Sequence, residues 1–205
     1  MPTLEEIQTA VQRQFGDDTE AQITRDDITR WANEGQLAIA RKTDVLLEPF
    51  TAPTVIGQAD TPLPVDFLRI ERVTLDGVII HKTSSAYLDA ENPSRGISPV
   101  VTGRPTRFYV KRKALSLYPI PDSVYTLGGE IITRPEILAD PGDTPQVPVE
   151  LHADIVRYCL SRAYELDGQR VEAREVMGEF TENLGWAVDE AGNPYTDSYP
   201  LIREV

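Results

Sequence analysis

Residues 25–44 read RDDITRWANEGQLAIARKTD, and the placing of the apolar residues in this stretch decides the fold. Ile28, Trp31, Ala32, Gly35, Ala38 and Ile39 recur at i, i+3, i+4 and i+7, which gathers them on one stripe of an α-helix. A stripe of that width has to face a core. Thr24 with Asp27 three residues later is a capping-box start, in which each side chain satisfies a free backbone N–H of the first turn. Gly35 lies in the stripe, where it costs about 1 kcal/mol against alanine. The expectation is that another backbone comes close there, beside Trp31.

The same pattern recurs at both ends of the chain. Thr3 and Glu6 frame a helix start, Leu4, Ile7, Val11 and Phe15 form its stripe, and Gly16 stops it. Residues 17–22 read as a polar linker. Val149 to Leu166 is expected to bury Ile155, Val156, Cys159, Leu160, Ala163 and Leu166, with Asp167-Gly168 as its stop. Gln169 to Ala187 presents Ala173, Val176, Met177, Phe180 and Leu184, and its short connection implies an antiparallel helix pair. Trp31, Ile39, Ile155 and Phe180 are therefore expected in one core.

The middle of the chain has a different periodicity. From Glu48 to Pro64 β-branched residues lie among prolines and a glycine, which fits short extended segments. Phe67 to Leu75 alternates with neither face cleanly polar, and Asp76-Gly77 is a hairpin signal that returns Val78 to Lys82 as partner strand. Ser84 to Glu91 reads as a short helix. Arg107 to Lys111, Leu115 to Pro119 and Tyr125 to Thr133 read as a three-stranded meander, with Gly128-Gly129-Glu130 a strand irregularity. Residues 135–148 form a proline-rich joint. The fold class expected is α+β. Residues 1–48 and 149–187 form a helical bundle, residues 49–148 an inserted small antiparallel β lobe, and residues 188–205 an extended C-terminal arm.

The 205 residues, 40% hydrophobic and 26% charged, have the composition of an ordinary globular protein. No run approaches the ~18 apolar residues of a membrane span, and the start Met1 to Glu6 is acidic, unlike a signal peptide. A cytosolic protein, or one released from a cytosol, is expected. One cysteine excludes an internal disulfide and a cysteine-rich zinc site, and two histidines leave little for a metal. The net charge of −13 is unevenly spread. Residues 1–65 hold 5 basic and 11 acidic groups, residues 66–113 hold 9 and 5, and residues 114–205 hold 6 and 17. A basic middle is flanked by two acidic ends, which disfavours general affinity for nucleic acid or anionic membranes.

These residues bear on three kinds of chemistry. Asp17-Asp18, Asp26-Asp27, Asp140 and Asp143 offer oxygen ligands or a carboxylate pair, but none lies in a metal motif, and acids in a first helical turn are accounted for by the helix dipole. His152 and Asp154 cannot face one another at i, i+2 on a helix, and neither a G-x-S-x-G elbow nor a phosphate-cradling glycine loop is present. No catalytic residue, cofactor or metal is assigned. The run Arg104, Arg107, Phe108, Tyr109, Lys111, Arg112, Lys113 combines phosphate-neutralising and stacking side chains. It reads either as a nucleic-acid-binding hairpin or as a charged tip that keeps a sheet edge soluble.

Taken in order, several motifs resemble the head-to-tail adaptor (connector) proteins of tailed bacteriophages. They are ITRWANEGQLAIA from Ile28 to Ala40, LPVDFLRI from Leu63 to Ile70, Gly103-x-Pro105-x-x-Phe108-Tyr109-Val110, LYPIPD from Leu117 to Asp122 and LHADIV from Leu151 to Val156. The likeness covers about residues 1–187. It implies a non-catalytic structural protein of the virion neck, between capsid and tail, assembled in the host cytoplasm. It further implies a homo-oligomeric ring, commonly of twelve copies, that joins the portal protein to a tail or nozzle protein and continues the DNA channel without specific DNA binding. Asn193-Pro194-Tyr195 and Tyr199-Pro200-Leu201-Ile202 combine prolines with aromatic and aliphatic side chains, which fits either an ordinary chain end or a docking arm anchored by Tyr195, Tyr199, Leu201 and Ile202. In that family the C-terminal segment commonly reaches the portal, which favours the portal as the arm's partner. The basic hairpin at Arg104, Arg107, Lys111, Arg112 and Lys113 would face the tail or the DNA.

Overall fold

The computed structural model describes residues 2–17, 19–63, 67–93 and 100–190, the last three of these in backbone only. In chain order, α1 (Leu4–Phe15) and α2 (Arg25–Lys42) precede β1 (Leu47–Pro53), β2 (Asp60–Pro62), β3 (Phe67–Leu75), β4 (Val78–Ile79) and β5 (His81–Lys82). There follow α3 (Ser85–Glu91), β6 (Thr102–Gly103), β7 (Arg107–Lys111), β8 (Ala114–Tyr118), β9 (Ile120–Pro121) and β10 (Thr126–Thr133). A 3₁₀ turn (Val149–Leu151) leads into α4 (His152–Leu166) and α5 (Arg170–Glu190). The fold is α+β. It divides into a helical unit, residues 1–46 with 135–205, and a β unit, residues 47–134.

In the helical unit the local signals are made as spelled. Thr3–Glu6 and Thr24–Asp27 both close capping boxes, and Gly16 ends α1 in the left-handed region at φ 86°. Leu4, Ile7, Val11, Ile28, Trp31, Ala32, Ile39, Ile155, Cys159, Ala163, Phe180 and Leu184 share one core. Trp31, Ile39, Ile155 and Phe180 are thus buried together. Gly35 faces the Tyr158 side chain, whose Cβ, Cγ and Cδ1 lie 3.3 Å from where a β-carbon would sit. The close neighbour is a side chain and not the expected backbone.

Three expectations need correction here. Leu166 is 60% exposed, because it is the last residue of α4, past the turn that meets the core. α5 continues to Glu190, so the arm cannot begin at residue 188. Residues 135–148 belong with the helices: Leu138 and Val147 join the helical core, and the carbonyls of Asp143 and Pro141 accept from the N–H groups of Leu4 and Glu5 at 2.8 and 3.0 Å. That segment supplies partners for N–H groups that α1 cannot satisfy within its own first turn.

The described residues of the β unit form two four-stranded sheets, ordered β1-β10-β3-β4 and β2-β8-β7-β5, with β6 and β9 as a separate pair. Ten of its apolar side chains, among them Phe50, Val73, Leu75, Phe108, Leu117 and Ile131, form a second core. The meander is not formed. β7 and β8 make the expected hairpin around Arg112-Lys113, but β10 leaves to pair with β1 and β3. The strand after Asp76-Gly77 also splits: Val78–Ile79 pairs back onto β3, whereas His81–Lys82 joins β7, in parallel, in the other sheet. With β6 and β9 also parallel, the lobe is not purely antiparallel.

Candidate functional site

Three of the carboxylates singled out from sequence, Asp17, Asp27 and Asp143, hold their own loops or helix start, and Asp18 lies outside the described residues. Asp17 is buried and accepts from the backbone N–H groups of Gln22 at 2.7 Å and of Ile23 and Ala21 at 3.0 Å, and from the Thr19 hydroxyl at 3.3 Å. The α1–α2 connection read as a polar linker is therefore folded around one carboxylate. The N–H groups, Ile23 foremost, hold the Asp17 carboxyl at about 2, below its ordinary 3.8. Asp143 does the same for the N–H groups of Ala139 and Asp140, both at 2.8 Å, which lower its pKa. The Thr24 hydroxyl, ahead of Arg30, lowers that of Asp27.

A group whose folded pKa is depressed gives stability that is complete above its unfolded pKa and is lost as pH falls through the folded one. For Asp17 that window runs from 3.8 down to about 2. Thermal melts between pH 5 and pH 2 are expected to fall more steeply for the wild type than for Asp17→Asn, which has no carboxylate to protonate. Parallel curves would show that the carboxylate does not organise the loop.

His152 and Asp154 also serve structure, on separate partners. The His152 Nε2 lies 2.8 Å from the Val147 carbonyl, and Asp154 accepts from Arg157 at 2.9 Å and from Asn183 at 3.0 Å. Burial pushes the Cys159 thiol up, away from any nucleophilic form. Among the described residues no group of three or more His, Cys, Asp or Glu could hold a metal ion.

The basic run lies on β7, the turn after it and the segment before it, and much of its charge is paired within the β unit. Arg104 lies 3.4 Å from Asp76 and over the Tyr125 ring at 5.4 Å. Arg107 donates to Glu91 at 2.5 Å and stands 5.8 Å from the Tyr87 ring. Lys111 is 3.0 Å from Asp60, whose pKa is lowered first by the Ser116 hydroxyl at 2.6 Å and then by Lys111. Arg112 and Lys113 occupy the exposed turn, Arg112 at φ 58°. Asp60, Asp76 and Glu91 are the residues that sequence reading missed. Tyr195, Tyr199, Leu201 and Ile202 lie outside the described residues.

Charge divides with the two units. The helical unit has 24 acidic and 10 basic residues, and the β unit 9 and 10, so essentially all the net negative charge belongs to the helical unit, much of it in the segments that join and follow the helices. No helix among the described residues is long and apolar enough to cross a membrane.

A body whose conspicuous acids and bases hold its own loops and strands together has the makings of a structural protein. The model of the SU10 adaptor protein family matches residues 2–196, nearly the whole chain, and the chain belongs to that family of phage head-to-tail adaptors. The motifs from Ile28 to Val156 that suggested the family fall within the matched span. No curated protein matches the chain. The protein is a phage adaptor, a structural component of the virion neck.

Proposed function

We propose that copies of this chain form a ring, twelve in number, that joins the portal to the tail and continues the DNA channel. The family match over residues 2–196 carries this reading. In it the helical unit, with its excess of acidic residues, lines the channel and repels DNA phosphates, so the genome slides without being held. The hairpin turn at Arg112-Lys113 meets the tail or nozzle protein. The C-terminal arm docks on the portal through Tyr195, Tyr199, Leu201 and Ile202, whose aromatic and aliphatic side chains suit partner pockets, while Pro194 and Pro200 reduce the entropy lost on ordering. The ring assembles in the host cytoplasm and acts during genome ejection. The pairing of Arg104, Arg107 and Lys111 with carboxylates weighs against the nucleic-acid reading, since phosphate would have to displace Asp76, Glu91 and Asp60.

The test is electron microscopy of the purified chain, alone and mixed with the portal, beside a variant lacking residues 191–205. Annular particles seated on the portal are expected for the full chain. The truncated chain is expected to keep its helical content, because the cut falls after the last residue of α5, and to lose portal binding. Undiminished binding by the truncated chain would remove the arm, and wild-type particles that are never annular would remove the ring.

A further inference from the structure

On the helical unit, α4 and α5 flank a cleft of about 490 Å³ lined by Arg162, Glu165, Arg170, Arg174 and Met177. Arg162 is engaged, lying 2.8 Å from Glu165 and 3.6 Å from Glu34, although its Nε is buried without a hydrogen-bond partner. Arg170 and Arg174 are different. Both are exposed, and neither has an ion-pair partner among the described residues. They stand i, i+4 on one helix, where like charges repel, and Arg170 opens α5, where the helix dipole disfavours a cation. Glu165 on the cleft wall is already taken by Arg162. Three arginines against one glutamate make the cleft electropositive on a unit with 24 acidic and 10 basic residues.

We propose that this cleft receives carboxylates of a neighbouring copy of this chain, and so forms one side of the contact between subunits. The proposal rests on the ring reading above and names the surface that the ring would use. Neighbours in a ring meet through two unlike surfaces, so one face of the chain must complement another face of the same chain. Copies that each bear a net charge of −13 repel one another, and a contact that sets unpaired cations against some of those acids offsets that repulsion. Arg170 and Arg174 are placed to do this, and an arginine fork takes a carboxylate through two parallel hydrogen bonds. DNA phosphate would suit the same forks locally, but the acidic unit around them repels an extended polyanion, whereas a folded copy delivers carboxylates at fixed points.

The full chain and Arg170→Glu/Arg174→Glu are to be compared by mass photometry and negative-stain microscopy over a range of concentrations, with and without portal. The variant is expected to keep its helical circular dichroism and to need at least about tenfold more protein to assemble, the scale of losing charge-assisted hydrogen bonds. Wild-type rings with an equally competent variant overturn the cleft and leave the ring standing. A wild type that never forms rings overturns both. A second arm uses Arg174→Lys, a mixture of ¹⁴N- and ¹⁵N-labelled copies and a zero-length carbodiimide crosslinker. The expected product joins position 174 of one isotope to an Asp or Glu of the other. Linkage confined to single copies, or to the portal, overturns the assignment.

Discussion

Gly129→Ala is expected to cost the β unit more than about 3 kcal/mol, beyond the usual range for an added core methyl group. Gly129 lies in β10 between Phe50 of β1 and Val73 of β3, with strands hydrogen-bonded on both sides. A β-carbon there would lie 2.0 Å from the Arg72 carbonyl oxygen and 2.8 Å from the Phe50 ring. The first obstacle is backbone, so no rotamer change relieves it, and β3 or β10 would have to shift along the ladder that anchors the sheet. The adjacent glycine is the control. A β-carbon on Gly128 meets the Thr74 hydroxyl at 3.3 Å, a group that turns away easily, so Gly128→Ala is expected to be tolerated far better. Limited proteolysis across residues 47–134 with chemical denaturation would show the contrast. Equal stability of the two variants would mean that β10 does not run so close to β3.

The helices were legible because everything that specifies them is local. The two capping boxes, the glycine stop and the 3.6-residue stripes lie within a few turns of one another, and Leu4, Ile28, Ile155 and Phe180 went where their spacing sent them. The sheets were legible as strands but not as a pairing order. Nothing near Tyr125 in sequence tells β10 to pass over β8 and join β1 and β3, since those contacts are long-range. The mixed faces of Phe67 to Leu75 have a physical origin. Glu130 pairs with Arg72 and Ile131 with Ile70, which leaves Glu71 unpaired in a bulge, and this brings Ile70 to the same core as Val73 and Leu75. The basic run was visible as a cluster, but its partners Asp60, Asp76 and Glu91 sit at separations that carry no pattern. Asp17 reads in sequence as half of an acidic pair at the start of a polar linker, and its role as acceptor for N–H groups four to six residues ahead has no common motif behind it.

Asn33→Ala is expected to destabilise the helical unit by about 2–4 kcal/mol, the scale of leaving a buried donor and acceptor unpaired. Asn33 clamps the backbone of Leu138: its Oδ1 accepts from the Leu138 N–H at 2.8 Å and its Nδ2 donates to the Leu138 carbonyl at 2.9 Å. Leu138 is buried, so water cannot easily replace either bond. One turn on, Gln36 donates to the Glu136 carbonyl at 2.6 Å and to the Asn33 Oδ1 at 3.1 Å, which orients the Asn33 amide for its double contact. Two amides on α2 thereby tie down the segment after β10, at the point where the chain re-enters the helical unit. Asn33→Asp keeps the acceptor for the Leu138 N–H but sets a carboxylate oxygen against the Leu138 carbonyl, so it too is expected to destabilise. Urea unfolding followed by the fluorescence of Trp31, buried two residues before Asn33, would measure the loss, while Trp186 is 69% exposed and reports little change of environment. The Asn33→Ala and Gln36→Ala effects are expected to fall short of additivity, because either change already frees the segment that both amides hold. A loss below about 0.5 kcal/mol for Asn33→Ala, the range of an ordinary surface substitution, would show that Leu138 is held by its packing in the core and not by the clamp.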